Sequence, residues 1–173
     1  EDALPLSGAM VVNRFTPSRF PSTFQAVRVQ LPAPSDGSSP VGQQLRLVAF
    51  VDANRTGQPP ANPTLLVDRT ITIPTLASGR LIEVLIPNPP TINAGDLYVG
   101  VQSSSPSVLV GGDRNGPQQR RSFISTNNGA SFAPLLNAAN APLNLILRAE
   151  FANTFSTVLT ASPKAISPSA VAP

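Results

Sequence analysis

Apolar and polar positions alternate with a period of two through much of this chain. Between residues 23 and 31, Gln25, Val27, Val29 and Leu31 share one face, and Phe24, Ala26, Arg28 and Gln30 share the other. Successive side chains of a strand point to opposite sides, so this period predicts a half-buried β-strand. Residues 43–52 repeat the pattern, with Leu45, Leu47, Ala49 and Val51 opposite Gln44, Arg46, Val48 and Phe50. Residues 10–15, 65–73, 79–86, 96–103, 108–112, 119–125, a short piece at 131–134 and 143–151 complete the predicted strands. The segment 79–86 holds Leu81, Ile82, Val84, Leu85 and Ile86, which predicts cover on both of its faces.

Between these segments lie turn formers. Residues 16–21, 32–42, 87–95, 103–107 and 113–117 read as turns or loops, and the adjacent Pro59 and Pro60 exclude a regular ladder within 53–63. The best helical candidate, residues 133–141, is short and stops at Pro142. Eight to ten short strands separated by turns predict an all-β fold, an antiparallel β-sandwich that is jelly-roll-like.

A length of 173 residues with 41% hydrophobic content supports one sizeable core. The expected organisation is an N-terminal linker or loosely held strand at 1–9, a sandwich domain at 10–156, and a C-terminal linker or tail at 157–173. That last segment is small, polar and proline-containing. No apolar run approaches the roughly 20 residues of a membrane-spanning helix, so a soluble protein without membrane insertion is expected. Residues 1–9 carry neither a basic n-region nor an apolar h-region. A signal peptide is then expected upstream or removed, and the expected location is secreted or cell surface.

Composition narrows the chemistry. Cysteine and histidine are both absent, which removes thiolate and imidazole ligands, Ser-His-Asp and Cys-His nucleophiles, and a disulfide framework. The net charge of +3 is carried by basic residues that are all arginine except Lys164. They are scattered, apart from Arg120 and Arg121, and form no dense stripe of the kind that nucleic-acid binding requires.

Few residues remain as site candidates. Asp113 and Asn115, in the loop that follows Gly111 and Gly112, can offer oxygens to a calcium ion, with Asp52 and Asp96 as further carboxylates at strand ends. A plain tight turn accounts for the same loop. Arg114, Arg120 and Arg121 near it suit an anionic glycan or a carboxylate, against the alternative of a solvated loop edge. Tyr98, the sole tyrosine of a chain without tryptophan, is either a sugar-stacking platform or a core-edge aromatic whose hydroxyl reaches a partner. Phe123 and Phe132 read as core or as a small exposed pair. Glu83 and Glu150 lie inside predicted strands, where pairing with Arg80 or Arg148 is expected instead of glycosidase chemistry.

Several short stretches carry a family resemblance: Asn13 to Pro21 leading into Phe24-Gln25-Ala26-Val27-Arg28-Val29, then Gly95-Asp96-Leu97-Tyr98-Val99-Gly100-Val101, Asp113-Arg114-Asn115-Gly116-Pro117 before Arg121-Ser122-Phe123, and Asn144-Leu145-Ile146-Leu147-Arg148-Ala149. Over roughly residues 10–151 the chain resembles the jelly-roll accessory domains that stand beside catalytic domains in secreted bacterial hydrolases and large surface proteins. The stretch from Lys164 to Val171 is similar to the opening of an immunoglobulin-like repeat, which implies a longer parent protein. The resemblance implies a module without an active site or cofactor, whose partners are neighbouring domains of the same polypeptide. A polysaccharide- or cell-surface-binding module, calcium-assisted at Asp113, is the alternative.

Overall fold

The computed structural model describes residues 2–75, 81–113 and 119–153. Among them the regular structure is all β: β1 (Asp2–Pro5), β2 (Met10–Phe15), β3 (Ser22–Gln30), β4 (Gln44–Asp52), β5 (Val67–Thr72), β6 (Leu81–Leu85), β7 (Thr91–Ile92), β8 (Asp96–Gln102), β9 (Leu109–Asp113), β10 (Ser122–Ser125), β11 (Ala133–Pro134), β12 (Asn144–Leu145) and β13 (Leu147–Asn153). None of the described residues forms a helix long and apolar enough to cross a membrane.

Two antiparallel layers form the sandwich. The first is a six-stranded sheet in the order β11-β10-β2-β8-β4-β5. The second is built from β13-β3-β6, with β7 beside β3, and from β1-β9-β12. Ile146, between β12 and β13, joins these two ribbons: its N–H donates to the Gly111 carbonyl at 2.8 Å and its carbonyl accepts the Gln30 N–H at 3.0 Å. The predicted strand 143–151 is therefore one path broken at a single residue, pairing with β9 before the break and with β3 after it.

Alternation along the strands turns one face of each layer inward, and in β3 an irregularity at Gln25 shifts the register so that Phe24, expected opposite Val27, joins it on the inward face. Leu45, Leu47 and Ala49 of β4 and Leu97, Val99 and Val101 of β8 meet Phe24, Val27 and Val29 of β3 with Ile82 and Val84 of β6. Each valine, leucine, isoleucine or phenylalanine side chain among them contributes about 1.5–3 kcal/mol by leaving water. The outward face of the six-stranded sheet is covered too. Met10, Val12, Val48, Phe50, Tyr98 and Phe123 form a second buried cluster there, with Leu65 and Phe132 packed against it. Ring centroids lie 5.4 Å apart for Phe50 and Tyr98, 5.9 Å for Tyr98 and Phe123, and 5.7 Å for Phe50 and Phe132.

Several sequence expectations change here. The strands covered on both faces are β2, β8 and β4 of the six-stranded sheet, whereas β6 alternates between exposed and buried positions. Its outward residues Leu81 and Leu85 share the open face of the second sheet with Glu83 and are exposed, at 44% and 66%. The turn expected at 87–95 contains β7, which pairs with Ser22 and Thr23. The strand expected from 119 begins only at Ser122, because Arg120 has φ of 50° and cannot continue a ladder. Near the N-terminus β1 pairs with β9, and Leu6 is buried. The expected tail at 157–173, including Lys164 to Val171, lies outside the described residues.

Candidate functional site

The ends of β2 and β4 and the start of β8 meet at one end of the sandwich. Register places Arg14 opposite Tyr98, Phe15 opposite Leu97, and Asp52 opposite Asp96. Both aspartates are buried, at 6% and 5% exposure. The Asp52 carboxylate accepts the Asn54 N–H at 3.0 Å, the Thr56 N–H at 2.6 Å and the Thr56 hydroxyl at 2.7 Å. These bonds fold the start of the 53–63 loop into an Asx-type turn. Asp96 accepts the Thr16 hydroxyl at 2.7 Å.

The loop before β8 is fitted to this pair. Gly95 has φ of 90°, and a Cβ there would collide with the Asp52 carbonyl oxygen and the Ala53 Cα. Only glycine combines that backbone conformation with such a close approach. Burial opposes ionisation of Asp52, but the hydrogen bonds from Thr56 and Asn54 and the charge of Arg14 outweigh it, holding the carboxyl below its ordinary range.

Tyr98 lies behind these carboxylates. Its ring is fully buried against Phe50 and Phe123, so no face of it is open to a sugar. Its hydroxyl is also buried and makes no hydrogen bond of good geometry. Burial pushes its pKa up to about 12, with Asp52 and Asp96 reinforcing the shift and Arg14 opposing it. The reading of Tyr98 as a stacking platform is corrected to a core aromatic whose polar tip faces the Arg14–Asp52–Asp96 group.

The other site candidates separate. Asp113 ends β9 in the second sheet, half-buried and opposite Asn144, whereas Asp52 and Asp96 belong to the first sheet. Among the described residues no three acidic side chains gather as a potential metal-binding group. Arg114 and Asn115 lie outside the described residues. Glu83 and Glu150 both pair with Arg28, at 2.7 and 2.8 Å, instead of with separate arginines. Arg148 stands directly across from Arg28, and Arg80 lies outside the described residues.

Arg120 and Arg121 are exposed at the same end as the aspartates, where the Arg121 carbonyl accepts the Arg14 N–H at 2.8 Å. Arg120 lines a cavity of about 340 Å³ with Gln58, Phe123, Leu136, Asn140 and Pro142. The 53–63 loop forms one side of this cavity and the 136–142 turn another. The Asn137 side chain ties that turn together by accepting the N–H groups of Ala139 at 2.9 Å and Ala141 at 3.0 Å.

Arg55, beside the Asp52 turn, lies 5.2 Å over the Phe20 ring in a cation–π contact. It shares an unusual feature with Arg120: both have left-handed backbones, with φ of 52° and 50°. Among the described residues the other non-glycine positions of this kind are Ser7 and four asparagines. Small polar residues suit that conformation, whereas a long side chain there costs about 1 kcal/mol. Gln58, Arg55 and Asn140 had no motif to reveal them. The sole local signal was the turn composition Asp52-Ala53-Asn54-Arg55-Thr56-Gly57.

No protein-family model matches this chain, and no curated protein matches it in sequence. Among solved structures it is similar to the clostridial cysteine protease Cwp84 after propeptide cleavage, with a TM-score of 0.66 and 16% identity over 86% of this chain and 36% of that one. It is also similar to the structure of the cysteine protease and lectin-like domains of Cwp84, a surface layer associated protein of Clostridium difficile, with a TM-score of 0.63 and 14% identity over 86% of this chain and 33% of that one. At these identities the likeness is one of fold, an all-β sandwich. The chain spans about a third of the length of either protein.

Proposed function

We propose that this chain is a noncatalytic accessory module of a larger secreted or cell-surface bacterial protein, one that engages a surface polysaccharide through the loop end of its sandwich. The observation that carries this reading is the cavity at Arg120, built by loops on a scaffold whose strand-borne carboxylates at Asp52, Asp96, Glu83 and Glu150 are already held by hydrogen bonds or ion pairs. A carboxylate fixed in this way makes a poor acid or base, and a shaped cavity between rigid loops suits binding. The fold likeness to a protein with a lectin-like domain supports the same direction, as does the jelly-roll-like resemblance of the sequence.

Calcium belongs to this proposal as an assisting ion at Asp113. The test is depletion of the purified protein by a panel of insoluble polysaccharides, in millimolar calcium and again with chelator. Retention by at least one polymer is expected, and retention by none overturns the reading.

A second reading, a spacer that contacts a neighbouring domain, is favoured by the β6 edge. There the exposed Leu81 and Leu85 lie on a strand that ends its ladder, with the Leu85 carbonyl accepting a hydrogen bond from the Arg69 guanidinium at 2.9 Å. Surface binding at the loop end and domain contact at the β6 edge are compatible in one module.

A further inference from the structure

Among the described residues the exposed charge of the loop end is cationic. Arg55, Arg120 and Arg121 are exposed there, while Asp52 and Asp96 point inward and are consumed by their own hydrogen bonds. Asp113, at the end of β9 in the second sheet, is half-buried and has a partner of its own. Among the described residues no carboxylate forms an ion pair with these three arginines. Arg69 and Arg148, on other strands, are exposed outside ion pairs as well; what the loop end adds is a cavity lined by one of its arginines.

The cavity adds the remaining chemistry. Arg120 supplies a planar fork of donors, Gln58 and Asn140 supply carboxamides, and Leu136 and Pro142 supply an apolar wall. Neutral sugars are ordinarily gripped by flat exposed aromatics. Here there is no tryptophan, the sole tyrosine is buried, and Phe123 is buried as well. Specificity at this cavity then rests on charge.

We infer that the loop end recognises an oxyanion-bearing polysaccharide, with Arg120 as the principal contact for the anionic group. This inference rests on the surface-binding reading above and names its ligand class. Uronate carboxylates and the phosphodiesters of polyol-phosphate polymers share that chemistry, since guanidinium pairs with either through two parallel hydrogen bonds. Arg55, held over Phe20, adds longer-range attraction.

The test measures affinity of the full chain for polygalacturonate, a polyol-phosphate polymer and a neutral glucan, at about 0.15 M salt and again at about 1 M, where screening reaches only about 3 Å. Tighter binding of one anionic polymer than of the glucan, weakened at high salt, is expected, and the polymer retained identifies the source of the anion. The variant R120Q is expected to weaken that binding about tenfold or more, as loss of a charged hydrogen bond does, while R148Q, on the β13 strand, leaves it unchanged. Circular dichroism and melting of R120Q establish that it is folded. If it is not, R55Q together with the salt dependence of the unaltered chain decides the matter.

Equal affinity for glucan and anionic polymers, or full affinity in the folded R120Q protein, overturns the inference while leaving the surface-binding reading intact. No binding to any polymer overturns both.

Discussion

Two sets of carboxylates in this molecule sit in opposite surroundings. Asp52 and Asp96, adjacent at the loop end, are buried and receive hydrogen bonds from Asn54, Thr56 and Thr16. Glu83 and Glu150 lie on the open face of the second sheet, flanking Arg28, with their side chains about as exposed as those of many surface residues, at 42% and 40%. In the first set both Asp52 oxygens and one of Asp96 exchange water for a backbone or hydroxyl donor, and those on Asp52 set the path of a loop. In the second set water competes for every charge, and the pairs tune a surface that would fold without them. The lesson is that a short ion-pair distance says less about importance than what the carboxylate would leave unsatisfied if removed.

The largest effect is expected from Gly95→Ala, because the added methyl meets backbone at Asp52 and Ala53 in a conformation that alanine resists. A loss of about 3 kcal/mol or more in urea unfolding is expected; a loss below about 1 kcal/mol would show that the Asp52 turn is free to move. Asp52→Ala follows, at about 2 kcal/mol, through loss of the groups that hold the Asn54 and Thr56 donors. The same variant sharpens the pH dependence. The Asp52 carboxyl is held below its ordinary value in the fold, so its contribution is present above the unfolded pKa of about 4 and is lost as pH falls through the lower folded value. Stability measured from pH 6 down to pH 2 is expected to fall less steeply in Asp52→Ala than in the unaltered chain.

Tyr98 tests the interior of the same end. As the sole tyrosine, it can be titrated by its own ultraviolet band, and a native midpoint of about 12 is expected. An unfolded tyrosine ionises near about 10, so folding stability is present below that pH and declines as pH rises toward the folded value. A native midpoint near 10 would place the hydroxyl in contact with water. Tyr98→Phe removes a buried hydroxyl that makes no good hydrogen bond, and a gain of about 1 kcal/mol in thermal unfolding is expected. The smallest effect belongs to the exposed set. Glu83→Gln is expected to shift the melting temperature by less than about 2 °C, and a larger shift would remove the contrast between the two sets.

Much of the scaffold was legible in the sequence. The alternation at 10–15, 23–31 and 43–52 identified strands within a residue or two of their ends, since side chains pointing to opposite faces of a sheet leave a period of two in the residues themselves. The aromatic layer was less legible. Phe50, Tyr98 and Phe123 come from three separated strands, and nothing local announces that the 53–66 segment and Phe132 close over them. The assignment of doubly covered status to residues 79–86 failed for the same reason. A run of aliphatic residues describes composition, whereas cover depends on whether further side chains pack over a strand's outer face, as on β8, or leave it open, as on β6.

By itself the sequence determined the fold class, the turn positions and the exclusion of thiol and imidazole chemistry, because these follow from side-chain period, backbone propensity and residue inventory, all of which are local. Only the tertiary structure decided which charges are neighbours. It set Asp52 beside Asp96, turned both inward, gave Arg28 two glutamates, and left Arg55, Arg120 and Arg121 exposed at one end, with Arg120 lining a cavity that Gln58 and Asn140 complete. Antiparallel pairing brings together residues tens of positions apart, and electrostatic character depends on that pairing and on burial, so neither the site nor its sign is carried by any single stretch of the chain.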